Sequence, residues 1–439
     1  MADGIRALGG EARYDETGRA IVQPYGCAKR RPAATRVTRG GSDSLLKSGA
    51  LRRIWRFLVA ALVVILALAT LGGLFPALPM LGELGPIILS MWGPWVAILP
   101  LLAAIGLVLR ARKTASRRGY ILAALAIFAS IGSAFMLARQ VAVAKANLVV
   151  VDPMQTLLSH SQADDGLRAT SFNYTTHDGK PMPLDVYPPL TRHAGAAPVV
   201  VYIHGGGWGG QTLKQRQADY LWFAERGYLV ISLEYSLSSK TEHTWNLVQP
   251  QLGCALAWVG ANAPRFGGDL SRLALWGESA GGNLVLNLSY MANQGTLKPA
   301  CPGNVPHVAA TIALYPVVDP AHMFRNPNPL IAGFGRMMTV NYTGGTPDQF
   351  PDRYKAIDST TYINAAAPPT LLVVPAADHL VDPQAAYGFA AKARSAGVGV
   401  SVITMPYAEH AFDMSSGSIG NQLVRQSMLH FLIAHGVKP

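Results

Sequence analysis

The stretch LALWGESAGGN, Leu273–Asn283, decides how this chain is read. Leu273–Trp276 is a short apolar run that reads as a strand, and an amphipathic helical pattern starts at Ser279. Between them, Gly277-Glu278-Ser279-Ala280-Gly281 fits G-x-S-x-G. The spacing has a mechanical reason. A strand-to-helix turn this tight leaves no room for side chains at its flanks. Its strain lifts the serine hydroxyl into a cleft, at the positive end of the following helix. Ser279 is therefore a candidate nucleophile, and its surroundings must supply a base.

Outward from this point the chain alternates. Pro198–Ile203, Tyr228–Leu233, Val308–Tyr315, Thr370–Val374 and Val398–Met405 read as further strands. Helical patterns lie near Leu213–Arg226, Asn246–Ala263, Pro383–Ser395 and Gly420–His435. Such alternation predicts an α/β fold over 170–439, a mainly parallel sheet with helices on both faces. Ligands in such sheets bind at the carboxyl ends of the strands, so the chemistry belongs in the strand-to-helix loops. The interval between Tyr315 and Thr370 is rich in Pro, Asn, Gly and Met. A structureless loop of that length does not suit a compact domain, and a lid insertion is expected at about 319–365.

A serine hydroxyl is a weak nucleophile and needs a base that a carboxylate orients. In such a fold the chain order is Ser, then Asp or Glu, then His. Asp378 follows the strand Thr370–Val374, and His410 follows Val398–Met405. Asp382 is a rival carboxylate, but it stands before Pro383 as a helix N-cap. Glu409 adjoins His410, where side chains diverge. Asp378 is the expected partner. His204-Gly205-Gly206-Gly207-Trp208 follows the strand Pro198–Ile203. Its glycines can turn N–H groups inward, so Gly206, Gly207 and Ala280 are the expected oxyanion donors. Trp208 is the aromatic best placed to line a substrate pocket, while Trp222 and Trp258 fit core positions. One rival reading exists: Gly205-x-Gly207-x-x-Gly210 with Glu234 fits a dinucleotide fingerprint. It leaves Ser279, Asp378 and His410 unused.

Taken together, HGGGW, WGESAGGN, AADHLVDP and AEHAF, with the lead-in LDVYPP at Leu184–Pro189, carry a resemblance. The chain resembles the α/β-hydrolase superfamily, specifically esterases of the hormone-sensitive-lipase and acetyl-esterase type. The resemblance covers roughly 170–439. It implies Ser279 as nucleophile, His410 as general base and acid, Asp378 as its orienter, and Gly206, Gly207 and Ala280 as oxyanion donors. It implies that His204 braces its loop. The cap that selects substrate in such esterases does not map clearly onto this chain. The expected activity is hydrolysis of a small-molecule or lipid carboxylic ester through an acyl-enzyme, extending to deacetylation of surface molecules. The alternative is a non-catalytic binding or adhesion module on the same fold; such modules usually lose a triad member, and none is missing here.

The first third is different. The net charge of +12 sits almost wholly there: 1–56 carries twelve Lys/Arg against five Asp/Glu, and 57–138 carries five against one. The remainder is nearly neutral, so the charge is not a basic face for nucleic acid. The uncharged apolar runs Phe57–Phe75, Leu84–Leu109 and Gly119–Ala138 are each long enough to cross a bilayer as a helix. A signal peptide does not suit the first run, which follows a long tail and precedes two more runs. Three spans are expected within a 51–138 anchor. Before it comes a disordered basic tail, 1–50, and after it a linker, 139–169. Arg52, Arg53 and Arg56 abut the first run, and Arg110–Arg118 joins the second to the third. Positive-inside bias puts both on the cytoplasmic side and the domain after Ala138 outside the cytoplasm. Ionisable groups, which transport paths require, are absent from the three runs. Ala126, Ser130 and Ala134 have the spacing of a helix-packing face. Cys254 and Cys301 fall on the outer side, either as a disulfide or as two thiols. No H-E-x-x-H or C-x-x-C occurs, so neither a metal nor a cofactor is expected.

Overall fold

The computed structural model describes residues 41–161, 169–191 and 193–439. The basic tail expected over 1–50 lies outside these as far as position 40, and the chain is already helical at Gly41. Contacts divide the chain into Met1–Arg56 and Phe57–Pro439. The packing described below belongs to the second unit.

Three long helices come first among the described residues: α1 (Gly41–Leu74), α2 (Leu81–Thr114) and α3 (Arg117–Ala146). Ala50–Leu74, Leu81–Thr114 and Arg117–Ala146 are long and apolar enough to cross a membrane. α2 runs through Pro86, Pro94 and Pro100 without ending. Small residues let the helices approach closely. Ala126 and Ala129 are wholly buried, Ser133 Oγ lies 3.0 Å from Thr70 Oγ1, and Ser130 Oγ donates to the Ala97 carbonyl at 2.8 Å. The expected face of Ala126, Ser130 and Ala134 needs correction, because Ala134 is exposed and Ser133 takes its place.

The expected linker is corrected too. Nothing in Arg139–Ala146 breaks a helix, and α3 continues to Ala146 before a turn at Asn147. Ala144 and Val149 then join the core under the sheet. After them come α4 (Pro153–Leu157), started by an Asp152 cap and Pro153, and the short strand β1 (His160–Ser161).

The main domain follows in order. β2 (Thr170–His177), β3 (Lys180–Tyr187) and β4 (Ala197–Ile203) lead to α5 (Gln217–Ala224) and β5 (Leu229–Leu233). Next are α6 (Val248–Asn262), β6 (Gly268–Glu278), α7 (Ala280–Gln294) and β7 (Ala310–Leu314). Helices α8 (Pro320–Phe324), α9 (Ala332–Thr343) and α10 (Pro351–Ile357) fill the expected insertion. β8 (Thr370–Pro375), α11 (Pro383–Ser395), β9 (Val400–Met405), the short β10 (Ser415–Ser416) and α12 (Ile419–Ala434) complete it.

Eight strands form one sheet in the order β2-β3-β5-β4-β6-β7-β8-β9. The β2-β3 and β3-β5 pairs are antiparallel and every later pair is parallel. Strands buried on both faces read as nearly continuous apolar runs, as β4, β5, β7 and β8 do, with Ser232, Thr311 and Thr370 as the polar exceptions. Period two then sorts their side chains. Val199, Val201, Ile203, Leu273 and Leu275 enter the core on one face, whereas Val200, Tyr202, Ala274 and Trp276 enter the core on the other. The β2-β3 hairpin, which lies outside the expected strands, has a sequence signal of its own. Asp178-Gly179 takes positive φ at both positions, 48° and 73°, which is the I′ turn that Asp-Gly favours.

Candidate active site

β6 ends at Glu278 and α7 begins at Ala280, so Ser279 alone makes the turn, with φ 53° and ψ −117°. Its flanks show why glycine is needed there. A Cβ on Gly277 would lie 2.4 Å from the Gly281 carbonyl oxygen, and one on Gly281 would lie 2.1 Å from that of Ile203. The serine N–H is held by the Leu314 carbonyl at 2.9 Å, which ties the turn to the end of β7.

Two further loops converge on this serine. His410, beyond β9, presents Nε2 to Ser279 Oγ at 3.0 Å. Its Nδ1 meets Asp378 Oδ2, beyond β8, at 2.7 Å. Asp378 is held in turn: Oδ1 accepts the N–H groups of Leu380 and Val381 at 3.0 and 2.8 Å. Burial alone would lower the His410 pKa, but the charge and hydrogen bond of Asp378 outweigh it and hold the imidazole above its ordinary value. Such a chain of groups can take a proton from a hydroxyl and store it on a stabilised imidazolium.

The rival carboxylates are engaged elsewhere. Glu409 bonds His379 Nδ1 at 2.5 Å and accepts the His410 N–H at 3.0 Å. Asp382 caps α11 through the Gln384 N–H and reaches His322 at 2.9 Å.

In the loop after β4, Gly206 and Gly207 have φ 89° and 61°. A Cβ on Gly207 would lie 1.9 Å from Met338 Sδ. Among the described residues, no acceptor pairs with the N–H of Gly206, Gly207 or Ala280. Unpaired N–H groups beside a nucleophile are what a developing oxyanion needs. The dinucleotide reading loses its support here. No helix starts at the glycines, since α5 begins only at Gln217, and Glu234 is bonded to His204 Nε2 at 2.7 Å and to the Leu213 N–H at 3.2 Å. His204 also stacks on Tyr235, with ring centroids 4.3 Å apart.

Trp208 needs a correction. It is wholly buried and stacks on Tyr342 at 4.6 Å with the planes 2° apart, so it belongs to the core and not to the pocket wall. The cavity over Ser279, about 180 Å³, is lined instead by Phe334 and Met338 of α9, with Leu380, Tyr315 and Met414. The Met-rich composition of the insertion was the signal for these side chains.

Beneath the site lies a charge network that no sequence pattern announced. Arg216 is fully buried, and its Nη1 reaches Asp413 at 2.7 Å and Asp219 at 3.0 Å. Its Nη2 donates to Tyr315 Oη at 2.7 Å, and its Nε pairs with Glu278. Burial would depress the guanidinium pKa, yet Asp413 and Glu278 raise it above the usual value. Arg216 thus ties the residue before the nucleophile to the loop that follows His410. The described residues contain no group of three or more His, Cys, Asp or Glu side chains able to hold a metal ion.

Comparison with known proteins agrees with this architecture. The BD-FAE family model matches residues 184–392, a span that includes Ser279 and Asp378 and ends before His410. Esterase LipQ of Mycobacterium tuberculosis is 29% identical over 244 residues, covering 54% of this chain and 55% of LipQ. LipM of the same organism, a probable carboxylic ester hydrolase, is 30% identical over 223 residues, half of each chain. The chain spans 50–58% of the length of LipQ, LipM and the related esterase LipC. Among solved structures, the apo form of Thermogutta terrifontis esterase 2 superposes with a TM-score of 0.52 at 21% identity, over 62% of this chain and 96% of that one. The chain has the α/β-hydrolase fold, and the relatives it resembles are esterases.

Proposed function

We propose that this chain is a membrane-anchored serine hydrolase that cleaves carboxylic esters through an acyl-enzyme. The observation that carries the reading is the unbroken run from Ser279 Oγ through His410 to Asp378 at 3.0 and 2.7 Å. Ser279 Oγ attacks the ester carbonyl while its proton passes to His410 Nε2. The oxyanion so formed is held by the N–H groups of Gly206, Gly207 and Ala280. His410 then gives its proton to the departing alkoxide, leaving Ser279 acylated. Water repeats the sequence, with His410 as base, and releases the acid. The helices α8–α10 act as the lid over this cleft.

The anchor consists of α1–α3, with Arg52, Arg53, Arg56 and the Arg110–Arg118 turn on the cytoplasmic side. The hydrolase domain faces out of the cytoplasm, where acetylated surface molecules and lipid esters are substrates. Cys254 and Cys301 are disulfide-bonded, which supports an oxidising compartment for that domain.

The test is hydrolysis of p-nitrophenyl esters of rising chain length. Turnover by the intact protein should fall on the order of 10⁴-fold or more in Ser279→Ala. Equal turnover by both proteins would defeat the proposal.

A further inference from the structure

A second cavity, about 550 Å³, adjoins the one over Ser279. One wall is α2, through Ile87, Met91, Trp92 and Trp95; the other is the His410 loop, through Ala411, Phe412 and Met414. His410, Ala411 and Met414 line both cavities and form the partition between them. Trp92 and Met91 are 58% and 55% exposed, so the groove opens sideways along α2.

The contact between α2, α3 and the catalytic loops is held by specific bonds. Gln140 Nε2 of α3 donates to the Pro406 carbonyl at 3.1 Å, and the Phe135 and Tyr407 rings pack at 6.1 Å. Trp95 Nε1 donates to the Leu157 carbonyl at 3.2 Å. Asn328, at the start of the insertion, donates to Glu83 Oε1 of α2 at 2.7 Å. The His410 loop is therefore seated on the ends of α2 and α3.

Depth follows from the helix. From Trp92 to Arg110 is about 27 Å at 1.5 Å per residue, close to the ~30 Å of a hydrocarbon core. With Arg110 at one surface, Trp92 and Trp95 stand at the other, at the level where interfacial tryptophans gather and where a lipid's ester bonds lie. The groove thus meets the bilayer at ester depth.

Which half of a substrate it takes follows from the proton path. His410 must protonate the departing alkoxide, so the alcohol half lies on His410's side, and the groove borders His410. The groove, about 550 Å³, is roughly three times the size of the cavity over Ser279, about 180 Å³. The smaller suits a short acyl group and the larger a long hydrocarbon chain.

We propose that the groove between α2 and the His410 loop receives the hydrocarbon of a membrane-resident lipid alcohol, whose short acyl ester is cleaved at Ser279 after entering from the bilayer. This rests on the serine-hydrolase reading above, and its substrate class is a lipid esterified with a short acid.

Two isomeric esters test it: hexadecyl acetate and ethyl hexadecanoate, each presented to the full-length protein in phosphatidylcholine vesicles. The acetate should be hydrolysed at least tenfold faster. Ser159 lines the groove from the domain side, and Ser159→Trp should lower the rate on hexadecyl acetate at least tenfold relative to the rate of the same variant on ethyl acetate, whose alcohol half is too short to need the groove. Ile87→Trp, from the α2 side, should do the same and serves if the first variant does not fold. Equal rates for the isomers, the reverse order, or hexadecyl acetate hydrolysis untouched relative to ethyl acetate in folded filled-groove variants would overturn the proposal. Failure of the underlying reading looks different: p-nitrophenyl acetate would be hydrolysed equally by wild type and Ser279→Ala, or by neither.

Discussion

His379 Nε2 lies 2.9 Å from the carbonyl oxygen of Pro76, in the turn between α1 and α2. Its Nδ1 meets Glu409, the residue before His410, at 2.5 Å. One imidazole therefore joins the turn between α1 and α2 to the loop that carries His410, and only its protonated form donates at both nitrogens.

That bridge makes stability depend on pH. The hydrogen bond to Glu409 pushes the His379 pKa up to about 9, against the opposing effect of burial. A pKa raised on folding contributes stability that is fully present below the unfolded value of about 6.5 and is lost as pH rises through about 9. His379→Ala should lower Tm at pH 6, by an amount corresponding to about 1–3 kcal/mol, and should have much less effect at pH 10. Equal losses at the two pH values would show that protonation is not what holds the bridge.

On the proposed mechanism, His410 should titrate in the activity itself. His410 must be neutral to accept the serine proton, and Asp378 holds its pKa above the ordinary value. The acid limb of kcat/KM against pH should therefore have its midpoint above about 6.5. Asp378→Asn should move that midpoint down and reduce kcat on the order of 10³–10⁴-fold. A midpoint that stays in place would mean that another group titrates.

Topology has a direct readout. Protease added to intact cells or spheroplasts should reach the domain that follows α3 and leave the turn at Arg110–Arg118 protected. The opposite pattern of cleavage would reverse the orientation.

Much of this site was legible, for reasons the structure makes physical. Gly277 and Gly281 have carbonyl oxygens where a Cβ would sit, so the motif around Ser279 reflects space as much as chemistry. Asp378 and His410 could be named because parallel strands put successive loops at one end of the sheet. Trp208 misled because a large aromatic after a glycine loop looks like a pocket wall, yet its neighbour Tyr342 comes from α9, far along the chain. Distance in sequence also hid the rest. Arg216 with Glu278 and Asp413, and Glu83 with Asn328, are single polar residues from separate segments, and periodicity carries no record of such pairs. α3 outruns its apolar stretch because hydropathy marks the end of an apolar run, while the helix continues through Arg139–Ala146.

The disulfide between Cys254 and Cys301 ties α6 to the segment after α7, across 47 residues of chain. Cys301→Ser should cost about 2–4 kcal/mol of stability, read as a lower denaturation midpoint under oxidising conditions. Neither cysteine lines the cavity over Ser279, so short-ester turnover at 25 °C should be retained. An unchanged midpoint would mean that the bond does not form in the native protein.

The central claim is that Ser279 is a nucleophile activated by His410. The most direct measurement is covalent labelling of the full-length protein with a fluorophosphonate, followed by mass spectrometric mapping of the adduct. The account requires one adduct, on Ser279, lost in Ser279→Ala and strongly slowed in His410→Ala. Equal labelling of wild type and Ser279→Ala, or no labelling of either, would refute it.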